Sequence, residues 1–265
     1  MSTVAVRDYV RGIWDCRYFC FSLVHKDVVN RYRRSLLGMG WSLLQPIAMT
    51  AVLCTVFHQV FAVSVEHFAP FLLSGISFWN FFSGSALLGC QCIHQGETYI
   101  RQHPAPLAIY PLRTVLAMGF HFLLALMLVV ILSWCMNGFG NLATLWCLVP
   151  ALLMFFVFGW SVTILTGIAN VYFPDSQHLA EVGLQILFYA TPVIYPPETL
   201  SRAGLQAVFT LNPIGAYLRL IREPVIDARI PDVATFGLAA GGTAVMALLA
   251  ILVLVKCERR LVLHL

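Results

Sequence analysis

Five long stretches of the chain carry no Asp, Glu, Lys or Arg: residues 35–65, 67–96, 114–174, 182–197 and 233–255. A bilayer span takes about 20 apolar residues. A charge at the centre of such a helix costs roughly 2.5–3.5 kcal/mol, so uncharged runs of this length are what lipid burial selects. The first run predicts a helix over 40–63, with Pro46 near its start, and the second a helix over 69–89. The run 114–174 is too long for one span and breaks at Asn137-Gly138-Phe139-Gly140-Asn141, which is turn chemistry. It therefore predicts two helices, 114–136 and 145–170, and the last run predicts a clean span over 233–255.

The run 182–197 closes on Pro192 and Pro196-Pro197, and with residues 179–181 it is just long enough to cross. The next apolar piece, 203–218, is interrupted by Asn212-Pro213. Residues 196–230 are therefore expected to form a re-entrant, hairpin-like region at the far face. Irregular backbone survives at membrane depth only when buried in protein or beside water. The expected fold is an all-α integral membrane protein of six transmembrane helices, a single membrane domain over residues 1–265.

Composition agrees with the pattern. Of 265 residues, 60% are hydrophobic and only 11% charged, where a soluble domain is about one quarter charged. Soluble enzymes, nucleic-acid binders and disordered regulators are excluded on that ground. With both ends in the cytoplasm, twelve of the sixteen basic residues fall on the cytoplasmic side, and Arg202, Arg219, Arg222 and Arg229 lie in the outer segment. The positive-inside bias thus sets N-in and C-in. The first 30 residues lack the apolar core of a signal peptide. None of the eight cysteines lies in the outer segment, and Cys90-Gln-Cys92 is neither a zinc nor a redox spacing, so neither disulfide nor metal is expected.

Residues 5–30 are expected to form an amphipathic helix in the plane of the cytoplasmic interface. Val6, Val10, Ile13, Trp14, Phe21, Val24 and Val28 fall on one face, and Asp8, Arg11, Asp15, Ser22 and Lys26 oppose them. Arg17 interrupts the apolar stripe, either snorkelling or meeting a lipid phosphate. The cluster Arg31-Tyr32-Arg33-Arg34 precedes the first span. It can act as a plain topology determinant and also as a dock for a pyrophosphate headgroup, whose oxygens match Arg forks.

Nothing in the chain supplies energy. The ionisable candidates in the spans, Glu181 near the cytoplasmic end of the fifth and His121 in the third, also suit structural roles, and an ion-coupled carrier usually needs more. A P-loop needs Gly-Lys-Ser/Thr, and neither Lys26 nor Lys256 follows a Gly. The segment 90–105 carries Glu97, Tyr99, Ile100, Arg101 and His103 before Pro104 and Pro106. It is either an ordinary connection or a short amphipathic helix that fits a groove on a cytosolic partner.

These pieces resemble the permease subunits of type 2 ABC exporters, and within them those that export lipid-linked polysaccharide such as O-antigen or teichoic acid. The resemblance rests on Arg31-Tyr32-Arg33-Arg34-Ser35-Leu36-Leu37-Gly38 with Trp41-Ser42 and Pro46, on Leu184 through Thr191-Pro192-Val193-Ile194-Tyr195-Pro196, and on Leu211-Asn212-Pro213. It departs at Tyr172-Phe173-Pro174-Asp175, where the family usually has Arg in place of Pro174. It implies a bacterial inner-membrane homodimer working with two ATPase subunits that hold ATP and Mg, no cofactor in this chain, and no catalytic residues of its own. It further implies that 90–105 is the coupling element, that Arg17, Arg31, Arg33 and Arg34 receive the lipid pyrophosphate, and that 196–230 forms the outer gate.

A glycan path needs surfaces that hold sugar faces weakly. Phe71, Phe78, Trp79, Phe82, Tyr189 and Tyr195 are the candidate lining aromatics, set against packing or an interfacial belt. The same architecture with a drug or lipid-like cargo, and a stand-alone ion-coupled carrier or membrane enzyme, are the rival readings.

Overall fold

A computed structural model of the chain describes residues 3–33, 35, 37–61, 64–102, 105–138, 142–196 and 212–261. Among the described residues the regular structure is entirely helical. In chain order the helices are α1 (Thr3–Asp15), α2 (Arg17–Tyr32), α3 (Trp41–Phe61), α4 (Val65–Gln102), α5 (Ile109–Asn137), α6 (Leu148–Tyr172), α7 (Ser176–Ala190), α8 (Pro213–Val225) and α9 (Val233–Leu261). The outcome follows from backbone chemistry, because an apolar medium forces every N–H and C=O to be satisfied within the segment. Arg34 and His103, and most of the expected re-entrant segment, lie outside the described residues.

Five stretches are long and apolar enough to cross a membrane: Gly38–Gln59, Val65–Gln102, Ile109–Met136, Ala143–Tyr172 and Val233–Glu258. They correspond to five of the six expected spans. The remaining one, α7, has 15 residues. At 1.5 Å per residue it reaches about 22 Å, short of the ~30 Å hydrocarbon core.

The centre of the bundle is α4, which packs most extensively against α5 and α6, while α6 carries α9 on its other side. Phe78, Phe81 and Phe82 of α4 interlock with Phe122 of α5, Phe155 and Phe158 of α6 and Tyr217 of α8. The Phe78 and Phe155 rings stack with centroids 4.5 Å apart. Lower in the bundle, α4 and α6 meet through glycines. A Cβ on Gly167 would lie 2.9 Å from the Gly89 carbonyl oxygen, so only hydrogen at that position allows the approach. Small residues at crossings are the usual device where lipid removes the hydrophobic drive to associate.

Two expectations change here. First, 90–102 is not a separate short helix. It is the last three turns of α4, which continues through it because no proline lies between Pro70 and the end of the helix. At 38 residues α4 measures about 57 Å, so it projects well past one membrane face. Second, the 5–30 helix is two helices meeting at Cys16 (φ −86°, ψ 9°), although Cys16 N to Gly12 O and Cys20 N to Cys16 O bonds bridge the junction. The side turned to the protein is a narrow one. Cys20 and Leu23 are buried, whereas Trp14, Tyr18 and Phe21 form an outward aromatic row 67%, 73% and 63% exposed.

The Asn137-Gly138 break is present as expected. Gly138 adopts φ +81°, and its N–H bonds to the Trp134 carbonyl at 3.1 Å, ending α5.

Candidate functional site

A groove of about 720 Å³ opens between α3, α4 and α7. Each helix contributes one face at helical spacing: Gln45, Met49 and Val52; Ile76, Trp79, Asn80, Ser83 and Leu87; Glu181, Leu184, Gln185, Phe188 and Tyr189. Ile194, just beyond α7, also lines it. Most of the wall is apolar, punctuated by the neutral groups of Gln45, Asn80, Ser83 and Gln185, with Glu181 the lone carboxylate. The Ser83 hydroxyl donates to the Trp79 carbonyl at 2.7 Å, which leaves its lone pairs toward the groove. Glu181 accepts from Gln177 Nε2 at 3.2 Å and lies 3.5 Å from His178 Nδ1.

The six candidate aromatics divide. Trp79 and Tyr189 line the groove. Phe188 joins them and meets the Trp79 ring edge-on at 5.2 Å. Phe78 and Phe82 do not line it. They are 0% and 4% exposed, because they face α6 rather than α7. Phe71 sits under the Arg222 guanidinium. Tyr195 donates its hydroxyl to the Tyr189 carbonyl, fastening the turn after α7 to the helix end.

That turn also meets the start of α8. Asn212 Oδ1 caps the helix by accepting from Ile214 N at 3.0 Å, and Pro213 occupies the first turn, where a missing N–H costs nothing. The amide Nδ2 of Asn212 then donates to Thr191 Oγ1 at 3.1 Å. Thr191-Pro192 and Asn212-Pro213, far apart in sequence, are one structural unit.

At the opposite end, α2 clamps the α4 tail. Lys26 Nζ donates to Tyr99 OH at 3.0 Å, and Phe19 meets the Tyr99 ring edge-on at 5.9 Å. Asp27 forms a two-pronged ion pair with Arg113 at the start of α5. Ile100 packs against the cluster holding Leu107 and Ala108. Glu97 and Arg101 pair at 2.7 Å on the exposed face of the tail. Beneath them, Glu258 of α9 accepts from Tyr9 OH at 3.0 Å and from Leu107 N at 3.1 Å. Burial and the Glu258 carboxylate push the Tyr9 phenol up, so it remains a donor.

Among the described basic residues, Arg17 stands apart from Arg31 and Arg33, at opposite ends of α2. Arg31 borders a pocket of about 280 Å³ with Asp27, Gln95, Thr114, Met118 and His121. Since Asp27 is engaged by Arg113, the carboxylate one turn before Arg31 is already matched. The neighbouring Tyr32 OH lies 3.3 Å from His121 Nδ1. Arg33 is exposed at the end of α2. Arg17 is at the other end of that helix, about 21 Å away at 1.5 Å per residue. It donates to the Trp14 carbonyl and lies over the Trp14 and Tyr18 rings. One pyrophosphate cannot reach both ends of that helix at once.

Sequence reasoning missed Gln45, Asn80 and Gln185 in the groove, and Gln95 and Thr114 beside Arg31; His121 stood out in the sequence, but not its place beside Arg31. The signal was present: Asn80 with Ser83, and Glu181 with Gln185, are polar positions three or four apart in otherwise apolar helices.

Comparison with known proteins places this architecture. The family model for ABC-2 type transporters matches residues 18–225. The chain is 28% identical over 227 residues to the O-antigen export system permease protein RfbA of Myxococcus xanthus, covering 84% of this chain and 86% of that protein. It is 24% identical over 201 residues to the protein of the same name from Klebsiella pneumoniae, covering 76% and 77%. The polysialic acid transport protein KpsM of Escherichia coli is 18% identical over 217 residues, covering 80% and 82%. With most of its length matched, from the middle of the interfacial segment through α8, the chain belongs to the ABC-2 type transporter family.

Proposed function

We propose that the chain is the multi-pass, inner-membrane permease subunit of an ATP-driven exporter whose cargo is an undecaprenyl-pyrophosphate-linked, O-antigen-like polysaccharide. The observation that carries this reading is the groove between α3, α4 and α7. Its aromatic rings suit the CH faces of sugars, and its neutral amides and hydroxyls offer exchangeable hydrogen bonds. With a single carboxylate, little there would trap a passing glycan. The names of the relatives point to the same cargo class.

The topology that fits is N-in and C-in, with α7 and the turn after it completing the sixth crossing and 196–230 returning into the outer face. The projecting tail of α4 is then cytoplasmic and meets the ATPase, which binds ATP and Mg. A second copy of the chain covers the groove. In support, α7 has no buried residue, and α3 leaves Met49, Val52 and Val56 exposed. A symmetric dimer is the commonest closed assembly.

Arg31, Arg33 and Arg34 receive the pyrophosphate as the lipid arrives beside α2. A hydrogen bond to a charged group contributes about 1.5–3 kcal/mol, so losing even one such pairing lowers headgroup affinity at least about tenfold. Replacing all three residues with Gln is expected to abolish surface glycan while membrane levels of the permease stay unchanged. Normal surface glycan in that variant removes the headgroup role.

A further inference from the structure

Arg222 is 6% exposed, and although the Asp227 carboxylate favours its charged form, no carboxylate among the described residues hydrogen-bonds to it. Its fork is filled by neutral oxygens from two other elements. Nη1 donates to the Pro192 carbonyl at 2.6 Å, and Nη2 donates to Val193 at 2.7 Å and Phe71 at 3.0 Å. Nε donates to Ser74 Oγ at 3.3 Å. The guanidinium carbon lies 3.6 Å from the centroid of the Phe71 ring. Carbonyls 192 and 193 follow directly on the C-terminus of α7, where the helix dipole favours a cation.

The cage is shaped for this contact. A Cβ on Gly75 would collide with both the Val193 carbonyl oxygen and Arg222 Nη2, so residue 75 must lack one. Two residues bordering the cage in sequence, Ile76 and Ile194, line the groove. The cage therefore straps α8 and the 191–195 turn onto α4 at one end of the groove. The planar fork is what allows three carbonyls to be held together, and an ammonium on a flexible stem cannot reproduce it.

We infer that Arg222 is a positioning residue that latches the outer end of the groove shut. Opening for the glycan requires the fork to release the carbonyls of residues 192 and 193. This rests on the proposed function, in which α8 belongs to the outer gate.

The test uses the permease reconstituted with its ATPase partner in liposomes loaded with carboxyfluorescein, without ATP. Wild type is expected to hold the dye. Arg222→Gln is expected to release it about tenfold faster or more, since several charge-assisted bonds are lost at once. Arg222→Lys and Ser74→Ala are expected to leak at intermediate rates. A size-matched charge that fails to reseal the vesicle is not what a mere volume-filling role would give. Should Arg222→Gln fail to accumulate, the two milder variants decide. Dye retention at the wild-type rate in both, with export unchanged, overturns the latch.

A separate measurement checks the underlying reading. Asp227→Cys, in a Cys135→Ser, Cys147→Ser background, is expected to react with a membrane-impermeant maleimide from outside the cell. Labelling only from the cytoplasmic side overturns the outer placement itself, whatever the dye shows.

Discussion

Asn80→Trp is expected to stop export while the ATPase partner remains bound and hydrolytically active. Asn80 lies midway along the groove wall, between Trp79 and Ser83, and faces the open volume rather than the aromatic core. An indole there adds bulk to the path without displacing Phe78 or Phe82, which point toward α6. Surface glycan should fall at least about tenfold, a difference of only about 1.4 kcal/mol in the barrier to passage. Asn80→Leu removes the amide at similar size and is expected to slow export less. Immunoblotting of surface glycan against permease level reads both. Full-length glycan at wild-type amounts in Asn80→Trp would move the path away from this groove.

The second large effect is expected at the α4 tail. Replacing Glu97 and Arg101 together with Ala removes an exposed pair 2.7 Å apart. Such pairs contribute about 0–1 kcal/mol to stability, so the permease itself should fold and insert normally. What is lost is the charged face offered to the partner. Export should fall about tenfold or more, as one or two charge-assisted contacts would imply, while the ATPase loses its stimulation by the permease. The tail is rigidly backed, since Tyr99 is held by Lys26 and Phe19, and Arg113 by Asp27. A push at Glu97 and Arg101 is therefore delivered to α2 and α5 rather than absorbed by a loop. Normal binding and stimulation of the ATPase in the double variant would place the docking face elsewhere.

The helices that charge scarcity marked most clearly were the most legible. The ends expected for α3 and α6 lie within three residues of those observed, and α9 begins where expected, because lipid-length apolar runs leave the backbone little choice. The α4 tail was read as a short helix or loop separate from the span, because its polar residues break the apolar pattern without breaking the helix. Which aromatics pack and which line the groove was not legible. Phe78 and Trp79 are adjacent, yet one stacks on Phe155 and the other faces α7, and only the placement of α6 and α7 decides between them. Arg222 was readable only as one of four basic residues in the outer segment. Its significance comes from carbonyls contributed 29 and 30 positions earlier and from a glycine in another helix. The Thr191-Pro192 and Asn212-Pro213 motifs stood out in the sequence, but their mutual contact belongs to the fold.

In the proposed function this chain provides a path and a separate ATPase provides the power. The most direct measurement is movement of a fluorescently tagged undecaprenyl-pyrophosphate glycan across proteoliposomes that contain the purified permease, with and without its ATPase partner. Transport is expected only with both proteins and hydrolysable ATP. Transport by the permease alone, driven by an ion gradient or by none, would contradict the account.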